Sequence, residues 1–191
     1  MNTIWDTPDL QELADRIWGT LTEATQQGAH PWRTPVLCTR DDHRPSARTV
    51  VLRGLTRPGF ELIAFSDSRA LKIAHLTAHP GAAWLFYDPV QQVQVRAISD
   101  VRLHVRDPVA QTYWHRLPDE QRCRYQSRSA PGTPVDLPNS RTPGDAGDEH
   151  QFAVLIATVH ELDWLWLGPV QHRRARFVRE GPEWRGRWVE P

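Results

Sequence analysis

The sequence predicts a mainly β protein, an antiparallel barrel with helical additions. Two observations support this prediction: many short apolar runs are separated by turn residues, and only a few stretches show helical spacing. Strands that follow one another without alternating helices favour a barrel over a doubly wound α/β sheet. At 191 residues the chain can bury a sizeable core, and we expect a single domain over residues 1–191.

The N-terminal segment, residues 1–30, contains the first predicted helix. Thr7 is expected to be its N-cap, with Pro8 at the first helical position and Asp9 in the first turn. Gly28 is a plausible end of the helix. Apolar residues recur between these limits at helical spacing, at Leu10, Leu13, Ile17 and Leu21.

The rest of the chain reads mostly as strands. A helix around Lys72 ends before Pro80, and Pro108 opens a helical stretch to about residue 125 that Pro118 interrupts. Residues 127–150, rich in Ser, Pro, Gly and Asp, predict a mobile loop of a kind that often covers a site. We predict strands over residues 34–39, 47–54, 60–66, 82–87, 92–105, 152–161, 162–167, 175–179 and 184–189.

The composition argues against several classes of function. The formal net charge is zero, which gives no bulk attraction to nucleic acid or to an anionic membrane. Cys38 and Cys123 form no metal-binding spacing, so we expect a reducing, cytoplasmic setting. No apolar run resembles a signal peptide or a membrane span. Most of the nine tryptophans are expected in the core, with some at an aromatic site or a subunit interface.

One cation stands out, because Lys72 is the only lysine among 23 Lys and Arg residues. It follows Ser66, Ser68 and Arg69 at the start of a predicted helix, where unpaired N–H groups favour a phosphate. Arg48, on a preceding strand, adds a guanidinium to the same anion. The alternative is a solvated helix face that carries no ligand.

A second pattern on this helix is a pair of histidines. His75 and His79 have the i, i+4 spacing of a helical metal pair. No third ligand is evident and Pro80 follows directly, so we expect no metal site.

Four motifs in order resemble pyridoxamine 5′-phosphate oxidases and their FMN-binding split-barrel relatives. They are RTVVLR (48–53), FSDSRALK (65–72), QQVQV (91–95) and WLGPVQHRRAR (166–176), and the C-terminal WRGRWVEP is similar to that family's last strand. The resemblance covers about residues 30–191, with 127–150 matching poorly. It implies a split β-barrel, FMN as the cofactor, and a homodimer with cofactor sites at the subunit interface.

The resemblance also implies which residues bind the cofactor. The segment 48–53 would contact the FMN phosphate and the flavin edge, and the basic residues of 65–72 would hold the phosphate. Gln92 would lie beside the ring, while Trp166 and Arg176 would reach the cofactor held mainly by the other subunit. The implied cofactor-binding residues are Arg48, Thr49, Val50, Val51, Leu52, Arg53, Phe65, Ser66, Arg69, Lys72, Gln92, Trp166 and Arg176.

Each of these residues also has an ordinary structural explanation. Arg48 and Arg53 alternate with apolar residues and could cap the solvent face of a sheet. Gln92 could be a surface residue, and Trp166 could belong to the barrel core. The run of arginines from 173 to 176 could be a solvated face. The cofactor interpretation is favoured because one ligand explains all the candidates together.

The sequence departs from the vitamin B6 oxidases where these enzymes bind their substrate. Arg53 occupies the place of a lysine, and of three residues that hold the substrate's phosphate only Tyr113 matches, with Leu117 and Gln121 in the other two places. The family's Arg-x-His becomes 172–174, ending in Arg174. We therefore predict substrate contacts by Arg53, Tyr113 and Arg174, assign no catalytic residue, and find the pattern closer to the oxidase-related FMN-binding proteins.

These features predict an FMN-dependent oxidoreductase that acts on a small molecule. One alternative is a true pyridoxamine or pyridoxine 5′-phosphate oxidase, and another is a non-catalytic flavin- or haem-binding protein. Release of peroxide from pyridoxine 5′-phosphate separates the first two hypotheses. Bound FMN that no donor reduces would favour the third.

Overall fold

The computed structural model describes residues 4–136 and 150–191, whose fold is an antiparallel β-barrel with a few helices, as predicted. The α-helices are α1 Leu10–Gln26, α2 Leu71–Ala78, α3 Pro108–Arg116 and α4 Asp119–Arg122, with 3-10 turns at Pro31–Arg33 and Cys123–Tyr125. The strands are β1 Val36–Arg40, β2 Pro45–Thr49, β3 Gly54–Thr56, β4 Glu61–Asp67, β5 Gly81–Asp88, β6 Val93–Val105, β7 Phe152–Leu167, β8 His172–Glu180 and β9 Glu183–Val189.

The sheet divides at its longest strand, β7. The main path runs β2-β1-β5-β6-β7-β4-β3, and β8 joins β7 and carries β9. β6 accompanies one edge of β7 along nearly its whole length. The other edge pairs with β4 over 152–158 and with β8 over 161–167. One strand therefore serves two sheet branches, which is the split in the barrel.

β7 is one continuous strand, so the prediction of two strands over 152–161 and 162–167 is wrong. The β6–β7 register shifts at one point: Ile98 lies opposite Glu161, whereas Ser99 lies opposite Val159. His160 is therefore an extra residue, which marks a β-bulge. The polar pair His160-Glu161 interrupts the apolar pattern because of this bulge and because both side chains are exposed, not because the strand ends there.

The segment 50–53, which we call the closing segment, joins the two ends of the main sheet path. The predicted strand over 47–54 ends at Thr49 because the following N–H groups bond in two directions. Val50 N–H donates to Pro35 O over 3.0 Å and Leu52 N–H donates to Arg33 O over 2.9 Å, both just before β1. Arg53 N–H donates to Ile63 O of β4 over 2.8 Å. The closing segment thus bridges the β1 and β4 sides of the barrel.

Helix α1 begins two residues later than predicted. The carboxylate of Asp9 accepts from the backbone N–H of Gln11 and of Glu12, over 2.8 and 3.1 Å, which makes Asp9 the N-cap. Thr7 is not the cap, because its hydroxyl instead donates to the Glu12 carboxylate. The helix ends at Gln26, just before Gly28.

Most tryptophans lie in the core, as predicted. Trp18 of α1 packs between Phe60 and Trp184 of β9, with ring centroids 4.9 and 5.9 Å away. Trp164 and Trp184 are not among the tryptophans available to a subunit interface, since their exposed fractions are 0% and 6%. Trp184 packs against Trp18 of α1, and Trp164 packs against Trp5 and Trp188. Of the C-terminal tryptophans only Trp188, at 39%, reaches solvent.

The predicted loop is described only in part. Residues 127–136 contain no helix or strand, and residues 137–149 lie outside the described residues. Among the helices that the structure describes, none combines the length and apolarity needed to cross a bilayer.

Replacing Trp18 with alanine tests the docking of α1. The fully buried ring contacts Phe60 and Trp184, so we expect Trp18→Ala to lower the free energy of unfolding by about 3–5 kcal/mol. Val170→Ala is the matched control, because Val170 is 94% exposed and should change stability little. Urea denaturation followed by circular dichroism measures both; a loss under about 1 kcal/mol for Trp18→Ala would contradict this packing.

Candidate cofactor site

A cavity of about 300 Å³ opens beside the closing segment, between β4 and the start of α2. The closing segment itself is fixed by the barrel's backbone hydrogen bonds, so its side chains are held in place by the fold. Eight of the residues implied by the resemblance line this cavity: Arg48, Thr49, Val50, Val51, Arg53, Phe65, Ser66 and Lys72. Leu52 does not, because its side chain is fully buried in the core.

Arg48, at one end of the cavity, is held entirely by neutral oxygens. Its guanidinium donates to Leu37 O at 3.1 Å, to Thr39 Oγ1 at 2.7 Å and to Ser46 Oγ at 2.5 Å. Thr39 is in turn bonded to the buried His75 ring at 3.1 Å. Burial lowers the pKa of Arg48. The guanidinium is therefore oriented, but its positive charge is not neutralised by any of these contacts.

Lys72 lies at the same end of the cavity. Its Nζ donates to Ser66 Oγ over 3.1 Å, which leaves further N–H donors on the ammonium group. Burial lowers the pKa of Lys72, the charge of Arg48 lowers it further, and Asp67 opposes both. Two cations thus face one small space in which their charges repel each other. This donor set fits a phosphate dianion, which would relieve the repulsion.

Arg69, also implied as a phosphate ligand, is placed differently. Its guanidinium forms two hydrogen bonds to the Asp67 carboxylate, at 2.8 and 3.0 Å. It also donates to the backbone oxygens of Ser127, Arg128 and Ser129 in the described part of the loop. Arg69 does not line the cavity, and its charge is matched by Asp67. In this structure it ties the loop to the end of β4.

The other end of the cavity contains Arg53 and aromatic side chains. The Arg53 guanidinium lies 5.7 Å from the centroid of the Phe65 ring and donates to Gln121 Oε1 at 3.3 Å. Tyr113, expected at the substrate, packs edge-to-face against Phe65 at 5.6 Å. Burial lowers the pKa of Arg53. This end therefore combines a flat apolar surface with a partly desolvated cation.

Sequence reasoning missed five residues that also line the cavity. Arg124 and Tyr125 come from the 3-10 turn after α4, and Pro131 comes from the loop. Asp67 and Ala70 lie within the FSDSRALK motif but were not chosen. The sequence did offer one sign of Arg124 and Tyr125 as site residues. They place a cation and an aromatic side chain in succession at the end of the predicted helical stretch.

A second group of implied residues does not line this cavity: Gln92 precedes β6, Trp166 lies in β7 and Arg176 lies in β8. Gln92 precedes β6 rather than beginning the strand, because its backbone is left-handed at φ 54°. Its carbonyl accepts from Leu167 N–H over 3.0 Å. Trp166 lies opposite Val93 and is 7% exposed. Neither Gln92 nor Trp166 lines the cavity within the described chain.

Arg176 and Arg174 belong to this second group and share one carboxylate, Asp163. Arg174 bonds it at 2.8 and 2.9 Å, Arg96 at 2.7 Å and Arg176 at 3.4 Å. Burial alone would raise the pKa of Asp163, but the hydrogen bond and charge of Arg174, with the other arginines, bring it below its usual value. The cluster keeps two uncompensated positive charges on the outer face of the sheet.

The two histidines of α2 have separate partners. His75 is bonded to Thr39, and His79 Nε2 lies 2.6 Å from Asp42 Oδ1. In the part of the chain that the structure describes, no group of three His, Cys, Asp or Glu side chains is placed to hold a metal ion.

Comparisons with known proteins agree on the family. Residues 16–104 match the model of the pyridoxamine 5′-phosphate oxidase FMN-binding domain. A pyridoxine/pyridoxamine 5′-phosphate oxidase of Anaeromyxobacter dehalogenans is 30% identical over 189 residues, covering 92% of this chain and 93% of its own.

Two solved structures share the fold over the whole chain. A pyridoxamine 5′-phosphate oxidase-related, FMN-binding protein of Nostoc punctiforme superposes with a TM-score of 0.75, at 22% identity and 100% coverage of both chains. PhzG of Burkholderia lata, in complex with tetrahydrophenazine-1-carboxylic acid, gives 0.72 at 16% identity, covering 100% of this chain and 98% of its own. At these identities the likeness concerns the fold alone.

Asp163→Asn tests the arginine cluster through its pH dependence. The lowered pKa of Asp163 means that its ionised form contributes stability above the unfolded value of about 3.9, and that this contribution is lost as the pH falls through the folded value. We expect Asp163→Asn to cost about 1.5–3 kcal/mol of unfolding free energy at pH 7, and we expect this cost to shrink as the pH falls below about 3.9 and through the folded pKa. Urea denaturation across this range measures it. Asp119→Asn, at a 94% exposed side chain, is the control, and an equal loss at every pH would contradict the assignment.

Proposed function

This chain belongs to the pyridoxamine 5′-phosphate oxidase family of FMN-binding proteins, and from that premise we propose that it is an FMN-dependent oxidoreductase acting on a small molecule. The observation that supports this proposal most is the pair of cations at one end of the cavity. Arg48 and Lys72 line the same space, are both partly desolvated, and are bonded to neutral oxygens rather than to carboxylates. The phosphate of FMN would supply the missing negative charge.

The residues between the two ends of the cavity suit the rest of the cofactor. Val50 and Val51 present apolar side chains from the closing segment, and Phe65 adds an aromatic face. FMN, when bound, supplies hydride transfer at its ring N5. The protein would hold the ring against these side chains and exclude water. The polar groups at the Arg53 end of the cavity would orient the substrate.

We further propose that the functional unit is a homodimer in which each cofactor site uses both chains. Trp166 and Arg176 do not line the cavity of their own chain, and the resemblance implies that they reach the cofactor held mainly by the other subunit. A partner that brings its own copies of these two residues to the cavity would complete the site. The outer face of the sheet around Asp163 exposes Tyr87, Ile98 and Val178, which supports an interface there.

A pyridoxine 5′-phosphate oxidase is the second candidate, favoured by the 30% identical relative of that name. The substrate positions weigh against it. Leu117 is 8% exposed and packs in an apolar cluster, and Gln121 binds Arg53 through its amide oxygen. Neither offers the guanidinium or the hydroxyl that the resemblance calls for.

Anaerobic reduction tests the proposed function. The FMN-loaded protein is mixed with a panel of small-molecule hydride donors, and loss of the oxidised flavin absorbance is followed against free FMN. Reduction of the bound cofactor faster than free FMN by at least one donor is expected. Bound FMN that is slower than free FMN with every donor would support a non-catalytic flavin-binding protein instead.

The phosphate assignment predicts a preference for FMN over riboflavin of at least about tenfold, because a charge-assisted hydrogen bond contributes roughly 1.5–3 kcal/mol. Lys72→Met should weaken FMN binding by about 10-fold to 100-fold and leave riboflavin binding nearly unchanged. Fluorescence-quenching titrations measure both ligands. Arg40→Met, at an exposed residue of β1, is the control and should bind both ligands as the wild type does. Equal affinities of the wild type for FMN and riboflavin would contradict the phosphate assignment.

The dimer proposal predicts that a substitution that prevents dimerisation also weakens FMN binding. Val178→Glu places a charge on the exposed outer face of β8, where Val178 is 50% exposed, and should shift sedimentation from dimer to monomer while weakening FMN binding. Val135→Glu, in the loop at 58% exposure, should change neither. A wild-type monomer that binds FMN with full affinity would refute the shared site.

The substrate positions predict a poor pyridoxine 5′-phosphate oxidase. Leu117 and Gln121 cannot replace a guanidinium and a hydroxyl, and Arg53 differs from lysine in shape and hydrogen-bonding geometry. We expect kcat/KM for pyridoxine 5′-phosphate well below about 10⁴ M⁻¹s⁻¹, the lower end for ordinary enzymes on their own substrates. Steady-state peroxide assays measure this value, and a result above it would favour the second candidate.

A further inference from the structure

The cavity has a second cationic end, formed by Arg53, Arg124 and Tyr125. All three side chains line it. Arg53 donates to the neutral amide oxygen of Gln121 and to the Tyr125 hydroxyl, and Arg124 is exposed. The ion pairs of the described residues include neither arginine. Among the residues that the structure describes, Asp67 is the one carboxylate that lines the cavity, and it is already bound by Arg69.

The two cationic ends are separate groups of charges. Besides burial, Arg48 is the cation that lowers the pKa of Lys72. Besides burial, Arg33 and Arg124 are the cations that lower the pKa of Arg53. Alternate N–H groups of the closing segment, at Val50 and Leu52, bond to the chain before β1, which is the pattern of extended backbone. Arg53 is five positions after Arg48, so their Cα atoms lie at most roughly 16 Å apart at about 3.3 Å a residue. If the FMN phosphate lies between Arg48 and Lys72, the charges at the other end remain for a different anion.

The hydroxyl of Tyr125 accepts from Arg53, interacts with the charge of Arg124, and keeps its own proton as a further donor. Burial raises the pKa of Tyr125, and the charges of Arg53 and Arg124 oppose that rise without removing it. The phenol therefore keeps its proton at neutral pH and can donate it. The Tyr125 ring is positioned by Phe152, 5.0 Å away, so the hydroxyl is supported by the core.

We propose that Arg53, Arg124 and Tyr125 form an anion-binding subsite, and that the substrate carries a carboxylate or a phosphate recognised there. The inference rests on the proposed function, because it takes the ring of FMN to lie between the two ends. It makes Arg124 and Tyr125 specificity-determining residues of this chain. They come from the 3-10 turn after α4 and not from positions 117 and 121, so an anion bound here is held by different side chains from those that the resemblance implies.

Titration of the FMN-loaded protein with three probes tests the subsite. Benzoate and benzamide are nearly the same shape and differ in charge, and phenyl phosphate supplies the alternative anion. Perturbation of the flavin absorbance reports binding of each probe. We expect at least one of the two anions to bind about tenfold or more tightly than benzamide, and the better anion identifies the group on the substrate.

Variants assign that preference to the subsite. Arg124→Gln, at an exposed residue, should reduce the preference for the anion to within about twofold, and Tyr125→Phe should reduce it in part while keeping the ring packing. Arg116→Gln, an exposed arginine of α3 that does not line the cavity, should leave the preference unchanged. An equal loss in Arg116→Gln, or an intact preference in Arg124→Gln, would overturn the proposal.

Flavin binding by the same variants separates this inference from the proposed function. If wild-type protein binds no FMN, the proposed function fails before any probe is added. If Arg124→Gln weakens FMN binding but not riboflavin binding, the phosphate of FMN lies at this end and the subsite does not exist. If FMN binds normally but no anion is preferred, only the subsite is refuted.

Discussion

The rest of the structure depends on the hydrogen bonds that fix the closing segment. Its N–H groups at Val50 and Leu52 bond toward the chain before β1, and that of Arg53 bonds to β4, so a few residues close the barrel and line the cavity at once. These three N–H groups are used for closure and are not available to a ligand. The shape of the cavity and the closure of the barrel therefore depend on the same backbone hydrogen bonds, and a change of the backbone here would alter both.

The arginines of this protein differ in the groups to which they are hydrogen-bonded. Arg69 and Arg174 are bound by carboxylates, so they mainly organise the protein around Asp67 and Asp163. Arg48 and Arg53 are oriented by neutral oxygens and retain their charge toward the cavity. The same side chain thus serves architecture or recognition according to its partner. The arginines that the resemblance implies therefore fall into two groups: those paired with a carboxylate and those bonded only to neutral oxygens.

Local patterns predicted much of this fold, because strand spacing and turn residues act over short distances. The helix around Lys72 and the break at Pro118 are confirmed for that reason. Features set by distant residues were missed: the bulge at His160 depends on pairing with β6, and Arg124 meets the cavity only through tertiary packing. The motifs placed eight implied residues around one cavity, whereas Gln92, Trp166 and Arg176 do not line it.

The central place of β7 has a consequence for how the chain is made. β4 and β7 contact each other across up to 97 positions, as between Glu61 and Thr158. During synthesis from the N-terminus, β4 and β6 emerge from the ribosome well before the strand that lies between them. Until then their facing edges are unpaired and apolar, the condition that favours wrong pairing between nascent chains. Such long-range pairing also slows folding, so this protein's yield in a cell depends on protecting two strand edges until a third strand arrives.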